Sequence, residues 1–569
     1  MNSLFGNWTS TLRKNFLWLV LSTLLPTLGI NNTAQAAERI YASYSALERS
    51  ISINALENYA QKGEIDDDLA VYQQYVQPQK LKELRRVLLT PIKVNSVAVS
   101  QFLYTPQGEF LLGRLGEVIK TESREAKPSF HALRSALILA SAEPGGLTLL
   151  NLLRKYPSHS IHIDLARSLG IAGELEKLVS ETNRAIAAVS QKSNTEAASI
   201  QPSLSVTQLP DLRRKGKFVV QSKETLKIFD LARNRFLLTD VYLPNVQTAA
   251  PVIVISHGVG SDSSNFAYLA NHLTSYGFVV VVPNHPGSDA KQLQSLLDGR
   301  ASEAAKPEEF IDRPLDIKHI LDELEMRNKS NSLLKGRLNL QQVGVIGQSF
   351  GGYTALALAG AKINFQQLGK DCTQQALKDT WNLSLLLQCR ALELPNNKEY
   401  NLRDERVKAA IAINPITSSV FGETGLKEIN IPVMIVGSSD DTIAPALYEQ
   451  ILPFSWINTT QKYLVMLTGG THFSVIGESK NSTDQISLPS QVVGDNPAQA
   501  RRYMSSLSLP FFETYVAGTS KYIPYLNAAY VKTISREPVG LSLVQSLTST
   551  ELAQALNGEL KELKPQTGN

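Results

Sequence analysis

Residues 343–359 read VGVIGQSFGGYTALALA. An apolar run (Val343, Val345, Ile346) enters a G-x-S-x-G pattern, Gly347-Gln348-Ser349-Phe350-Gly351, and a small-residue run, Ala355 to Ala359, leaves it. The order predicts a buried strand, a sharp turn and a buried helix. A serine at such an apex takes a strained backbone conformation, and the flanking glycines let neighbouring segments pass close. Its hydroxyl then stands at the carboxyl end of a sheet, where the N–H of Phe350 and the helix N-terminus favour negative charge. Alone, G-x-S-x-G is a weak pattern; set between a strand and a helix it is much stronger.

The flanking sequence supplies the sheet. Residues 251–289, PVIVISHGVGSDSSNFAYLANHLTSYGFVVVVPNHPGSD, predict a strand at Val252–Ser256, a glycine-bearing loop, an amphipathic helix and a second apolar strand at Phe278–Pro283. A helix around Leu315–Arg327 leads into the serine strand. After the serine helix, VKAAIAINP, IPVMIVGSS and KYLVMLTGGTHF continue the strands, and PAQARRYMSSLSLPFFETYVA predicts a closing helix packed on them. Continuous apolar strands joined by helices mean a mostly parallel sheet covered on both faces, an α/β architecture. FVVQ, LKIFD and FLLTDVYLP precede it as antiparallel strands. A polar, helix-prone insertion, about Ile363 to Glu405, interrupts it.

Serine is a poor nucleophile at neutral pH; it needs a base, and the base an orienting acid. In such a sheet the expected order is serine, acid, histidine, the last two on loops after later strands. One later strand ends in Asp440-Asp441-Thr442-Ile443-Ala444-Pro445 and the next in Thr468-Gly469-Gly470-Thr471-His472. His472 is the only histidine after Ser349, so for a serine hydrolase it is the base by elimination. Asp441, directly before the Thr-x-Ala-Pro turn, is the acid, with the adjacent Asp440 as the alternative. The oxyanion hole takes one backbone N–H from Phe350 and one from Val259, after His257-Gly258. His257 is read as shaping that loop and His285 as a supporting residue. Asp289 and Asp316 are read as solvated or structural.

The 569 residues allow more than one domain, and 43% hydrophobic with 19% charged residues describes a globular protein. Residues 38–192 predict a small, mainly helical accessory domain: LERSISINALENYAQ and LKELRRVLL space apolar residues three and four apart, and IHID is a short strand or turn before a long helix. His159, His162 and Asp164 are too few for a metal site. Residues 193–215, rich in Ser, Thr, Gln and Pro, suit a linker. The catalytic domain runs over 216–540 with a tail at 541–569. Arg13-Lys14, an apolar run from Phe16 to Ile30 and Ala34-Gln35-Ala36 predict a signal peptide over residues 1–36, the run being too short for a transmembrane helix; an uncleaved anchor or a buried first helix is the alternative. The mature chain is then soluble and periplasmic, lumenal or extracellular. Losing Arg13 and Lys14 takes the net charge from +4 to +2, which gives no reason to propose a nucleic-acid partner. The two cysteines, Cys372 and Cys389, form one disulfide or stay two buried thiols.

DLARNR before a strand, SHGVGS, YLANHLTSYGFVVVVPNHPGSD and GQSFGG resemble the α/β-hydrolase superfamily over about residues 216–540. Within it they look like the branch of platelet-activating-factor acetylhydrolases and predicted dienelactone hydrolases. DDTIAP and GGTHF are similar to the acid and histidine loops of bacterial cutinase-type polyester hydrolases, where the aspartate before the Thr-x-Ala-Pro turn matches Asp441. Dienelactone hydrolases proper use cysteine where this chain has Ser349. The N-terminal segment resembles an uncharacterised domain found ahead of such hydrolases in photosynthetic bacteria. Together with the export signal, these motifs lead to the expectation of an exported serine hydrolase of carboxylic esters, small-molecule or lipid-like, that needs no metal or organic cofactor. Rival readings are a serine peptidase or amidase, and a non-catalytic binding or scaffold protein on a hydrolase fold. Trp381, Leu383 and Leu385–Leu387 are read either as a lipid-facing patch or as the buried face of an insertion helix.

Overall fold

The computed structural model describes residues 36–44, 47–73, 77–92, 96–121, 130–200, 209–396, 398–478 and 496–557. The expected signal peptide, apart from Ala36, lies outside them, as does part of the expected linker. The chain divides into two compact units: residues up to 93 with 116–165, and residues 94–115 with 166 onward.

Most of the first unit's described residues are helical, and it also holds a four-stranded sheet that the helical expectation did not include. β1 (Arg39–Tyr44) pairs antiparallel with β2 (Leu47–Ser52) and parallel with β4 (Ser160–Asp164), which pairs antiparallel with the two-residue β3 (Ile119–Lys120). LERSIS, expected to open a helix, is therefore a strand. The helix begins at Ile53, where the Ser52 side chain caps the N–H of Ala55, and Gly63 ends it in a left-handed conformation at φ +79°. His162 stacks on Tyr41 with ring centroids 4.9 Å apart, and Asp164 pairs with Lys120 at 3.4 Å.

The second unit holds a nine-stranded sheet. Its strands are β5 (Val220–Asp230), β6 (Arg235–Pro244), β7 (Ala250–Ser256), β8 (Val279–Pro283), β9 (Leu338–Gln348), β10 (Val407–Ile413), β11 (Val433–Ser438), β12 (Lys462–Thr468) and β13 (Gly540–Val544), in the order β13-β12-β11-β10-β9-β7-β8-β6-β5. β7 through β12 run parallel, while β5, β6 and β13 join antiparallel pairs. Strand residues alternate between two cores. Ile253, Ile255, Met434 and Val436 face one, Val252, Val254, Val343 and Val345 the other side. Helices Ala267–Thr274 and Pro497–Tyr515 cover the first face; Glu309–Ser330 and Phe350–Ala359 cover the opposite one. The chain steps from β7 out to β8, then returns to β9 on the other side of β7. That reversal makes a crevice at the strands' carboxyl ends, where ligands of such sheets bind. The serine strand is the middle strand.

Two expected boundaries move. β13 completes the sheet and Ser549–Ala555 is helical, so the described residues 541–557 are part of the fold rather than a tail. Helix Leu165–Ser199, expected in the accessory domain and linker, belongs from Ala166 to the second unit. It flanks β13: the N–H of Leu543 donates to Ser193 Oγ (3.1 Å), Ser190 Oγ meets Ser542 Oγ (3.1 Å) and Lys192 pairs with Glu551 (2.6 Å).

The insertion folds as short helices, Phe365–Asp371, Gln374–Asp379 and Leu383–Gln388. Cys372 and Cys389 are bonded, so of the two expectations the disulfide is the one present. Closing a loop of this size restricts the unfolded chain by about 3 kcal/mol. Leu385 and Leu386 are buried, and the Arg114 guanidinium lies 4.3 Å over the Trp381 ring. Leu385 and Leu386 thus match the second of the two readings, while Leu383 is exposed and Trp381 and Leu387 are half-buried.

Candidate active site

Ser349 sits between β9 and the helix Phe350–Ala359 at φ +57°, ψ −118°. A non-glycine residue in this region stores about 1–3 kcal/mol, and such strain persists where its surroundings over-determine it. Here they do. The Ser349 N–H donates to Ile413 O of β10 (2.8 Å), and its carbonyl accepts from Tyr353 (3.1 Å). A Cβ on Gly347 would lie 1.9 Å from Gly351 O, and one on Gly351 2.0 Å from Ser256 O, so only glycine fits at either place. Beneath the turn Phe350 packs edge-on against Phe310 (4.7 Å), and Tyr353 stacks on Phe421 (4.8 Å).

The acid and histidine loops follow β11 and β12. His472 Nδ1 lies 2.7 Å from Asp441 Oδ2, both residues being buried. The other oxygen of Asp441 accepts from the N–H groups of Ile443 (2.9 Å) and Ala444 (2.7 Å). A carboxylate only accepts, so Nδ1 carries the proton and Nε2 keeps its lone pair. Asp440 is exposed; its carboxylate accepts from Ser439 Oγ, and its N–H donates to Gly470 O (2.8 Å), tying the two loops together. The His472 carbonyl accepts from Gln348 Nε2 (3.0 Å) and Asn414 Nδ2 (3.3 Å). Gln348 immediately precedes the serine, so the histidine loop is fastened to the serine strand.

The loop carrying Val259 follows β7, the neighbour of β9. A Cβ on Gly258 would stand 3.3 Å from Ser349 Cβ, which puts this loop against the serine. Val259 and Phe350 thus lie on the two segments that converge at Ser349. His257 is buried, takes the His285 N–H on Nε2 (3.1 Å) and so donates from Nδ1 to Gly258 O (2.7 Å).

Behind this loop lies a buried ionic cluster with no counterpart in the sequence reading. Arg235 grips Asp316 with two bonds of 2.9 Å and reaches Glu309 (2.8 Å) and Asp312 (3.0 Å). Burial raises the Asp316 and Glu309 carboxyls and Arg235 pulls them back. Asp316 is fully buried and structural, not solvated. It also meets His285 Nδ1 (3.0 Å), whose Nε2 lies 3.0 Å from Ser256 Oγ. Burial, with Arg313 adding its charge, pushes His257 and His285 well below the ordinary histidine value. Arg313 is fully buried and contacts the His257 carbonyl at 2.7 Å. The signal was present as charges four apart, Glu309/Arg313 and Asp312/Asp316, on a helix with an apolar face. Asp289 caps the helix Ala290–Leu297.

A family model described as "Alpha/beta hydrolase of unknown function (DUF1400)" matches residues 36–164, and a Chlorophyllase model matches residues 214–370. Cutinase est1 of Thermobifida alba is 23% identical over 269 residues, covering 46% of this chain and 65% of the relative. Cutinase 2 of Thermobifida cellulosilytica is 22% identical over 242 residues, 41% of this chain and 64% of the relative. Cutinase cut1 of Thermobifida fusca is 22% identical over the same length, with 53% of the relative covered. The chain thus spans between 53% and 65% of the length of these curated relatives. Family models, distant relatives and sheet order agree, and the chain belongs to the α/β-hydrolase superfamily.

Proposed function

We propose that the protein is an exported serine hydrolase that cleaves carboxylic esters. One observation carries the reading: a positive-φ Ser349 at the head of the central strand, with the buried Asp441–His472 pair fastened to that strand through Gln348. In the reaction His472 Nε2 takes the Ser349 proton as Oγ attacks the ester carbonyl. The N–H groups of Phe350 and Val259 stabilise the oxyanion. Asp441 fixes the histidine tautomer and stabilises the imidazolium. The proton passes to the departing alcohol, leaving Ser349 acylated. Water, deprotonated by His472, then releases the acid and restores the serine. The names of the distant relatives, cutinases, and of the Chlorophyllase model support an ester rather than an amide. The basic-apolar N-terminus and the disulfide support export. Among the described residues no helix is long and apolar enough to cross a membrane.

The test is hydrolysis of p-nitrophenyl esters from acetyl to palmitoyl, beside matched anilides, by wild type and Ser349→Ala. The expected result is ester turnover that falls about 10⁴-fold or more in the variant. Preferential anilide cleavage would move the reading to an amidase. Folded wild type that hydrolyses neither and takes no fluorophosphonate label would overturn it in favour of a binding protein.

A further inference from the structure

Nothing in the reaction just described calls for Arg313, yet it is among the largest fully buried side chains of the molecule. A guanidinium in such a place costs several kcal/mol unless each face is partnered. Its partners all belong to, or stand behind, the loop that carries Val259. Nε donates to Ser288 Oγ (2.9 Å), Nη1 to the His257 carbonyl (2.7 Å) and Nη2, more weakly, to the Gly258 carbonyl (3.4 Å). Glu309 balances the charge at 3.8 Å, and the guanidinium carbon lies 4.6 Å over the Phe350 ring. A single buried cation thus touches both segments that supply the oxyanion hole.

The geometry has a directional consequence. In a trans peptide the C=O of one residue and the N–H of the next point in opposite directions. The Gly258 carbonyl is drawn to one side by Arg313 and by His257 Nδ1–H. The N–H of Val259, in the same peptide plane, must then point to the other side, away from the buried charge. Polarising the carbonyl also strengthens the N–H across the plane as a donor.

We infer that Arg313 is a positioning residue for the oxyanion hole, fixing the 257–259 peptides from behind so that Val259 N–H is aimed before substrate arrives. This rests on the serine-hydrolase reading above. Arg313 touches no reacting atom in this scheme and acts through the peptide it holds. Since the aimed N–H meets full charge only in the tetrahedral state, its loss lowers kcat and leaves KM nearly unchanged.

The test compares full-length wild type, Arg313→Lys and Arg313→Met, with active serines counted by fluorophosphonate end-point. The expected kcat per labelled serine falls about tenfold for lysine, which keeps the charge but not the fork, and about a hundredfold for methionine, somewhat less than deletion of a whole donor. KM stays within about twofold, the labelling rate falls with kcat, and the labelling end-point stays at one per chain. An unchanged kcat per labelled serine in a folded variant overturns the assignment, as does a loss that shows wholly as fewer labelled serines. Should neither arginine variant fold, Ser288→Ala leaves the guanidinium in place and removes its Nε acceptor together with the Ser288 Oγ bond to Glu309; about a threefold lower kcat supports the role, and an unchanged kcat overturns it. Wild type that takes no label, or Ser349→Ala that keeps its activity, overturns the hydrolase reading and this assignment together, before any Arg313 variant is measured.

Discussion

Among the described residues of the second unit, two hydrogen-bonded histidine–aspartate pairs are built to almost the same pattern. In each, histidine Nδ1 meets an aspartate Oδ2: 2.7 Å for His472–Asp441 and 3.0 Å for His285–Asp316. The second pair even has its own serine, Ser256 Oγ, 3.0 Å from His285 Nε2. What separates them is charge and place. Asp441 rests on two backbone N–H groups, so its negative charge is left to act on His472. Asp316 is gripped by Arg235 and paired with Arg233, so its charge is already spent on guanidinium groups. Ser256 is fully buried in β7, whereas Ser349 is lifted onto a strained turn at the crevice. On the proposed reading, a serine–histidine–aspartate constellation is therefore not sufficient for nucleophilic chemistry. It also needs a nucleophile raised from the sheet and an acid whose charge is not neutralised by cations.

The comparison breaks most visibly at the acids. Asp441→Asn should lower kcat by about 10³–10⁴-fold while the melting temperature moves little, because the geometry survives and the tautomer control is lost. Asp316→Asn should do the reverse. Opening a buried ionic cluster costs about 3–5 kcal/mol of stability, while turnover per labelled serine falls less than tenfold; equal losses of activity in the two variants would erase the distinction. Acid titration sharpens it further. His257 and His285 are held below their ordinary value, chiefly by burial, so the unfolded chain binds protons that the folded chain refuses. The stability they contribute is complete above about pH 6.5 and falls as pH drops, by up to about 2.7 kcal/mol per pH unit for two such groups. Glu309 and Asp316, raised by burial, act in the opposite sense nearer the carboxylate range. Thermal melts between pH 7 and 5 should therefore show a declining melting temperature; a flat profile would mean these histidines accept protons in the folded state. The smallest effect belongs to Asp440→Asn, for which kcat within about twofold of wild type is expected of an exposed carboxylate.

Much of this site was legible in the sequence because its signals are local. The apolar strand, Gly347, Gly351 and the small-residue helix prescribe the turn at Ser349 within a dozen residues. Choosing Asp441 over Asp440 was harder, since neighbouring residues at a strand end point in opposite directions and a one-residue error reverses them. The resemblance to cutinase-type loops was needed there. Arg313 showed in the sequence only as a charge four residues from Glu309; its hold on the 257–259 loop was illegible for a different reason. Its partner carbonyl, that of His257, lies 56 residues earlier, and no spacing rule couples a helix to the peptides of a distant loop. In the first unit, Leu47 and Ile51 are four apart, as on a helix, yet also fall on one face of an alternating strand pattern. Ser52 marks the true helix start, but the strand before it shows itself only through pairing with Arg39–Tyr44. β13 is five residues long, too short to stand out from a terminal segment.

The helix alongside β13 bears on how the protein can be handled. β13 lies at the margin of the sheet, and Ser190 and Ser193 from Leu165–Ser199 occupy its flank, the latter taking the amide of Leu543. A recombinant fragment trimmed to residues 216–540, the extent of the family resemblance, would lose both the helix and most of that strand. Its new margin would be β12, the strand that delivers His472, with a ladder of unpaired backbone groups ready to recruit strands from neighbouring molecules. A smaller piece should therefore keep residues from both sides of that span, so that β12 retains β13 as its partner and the helix stays on the flank of β13.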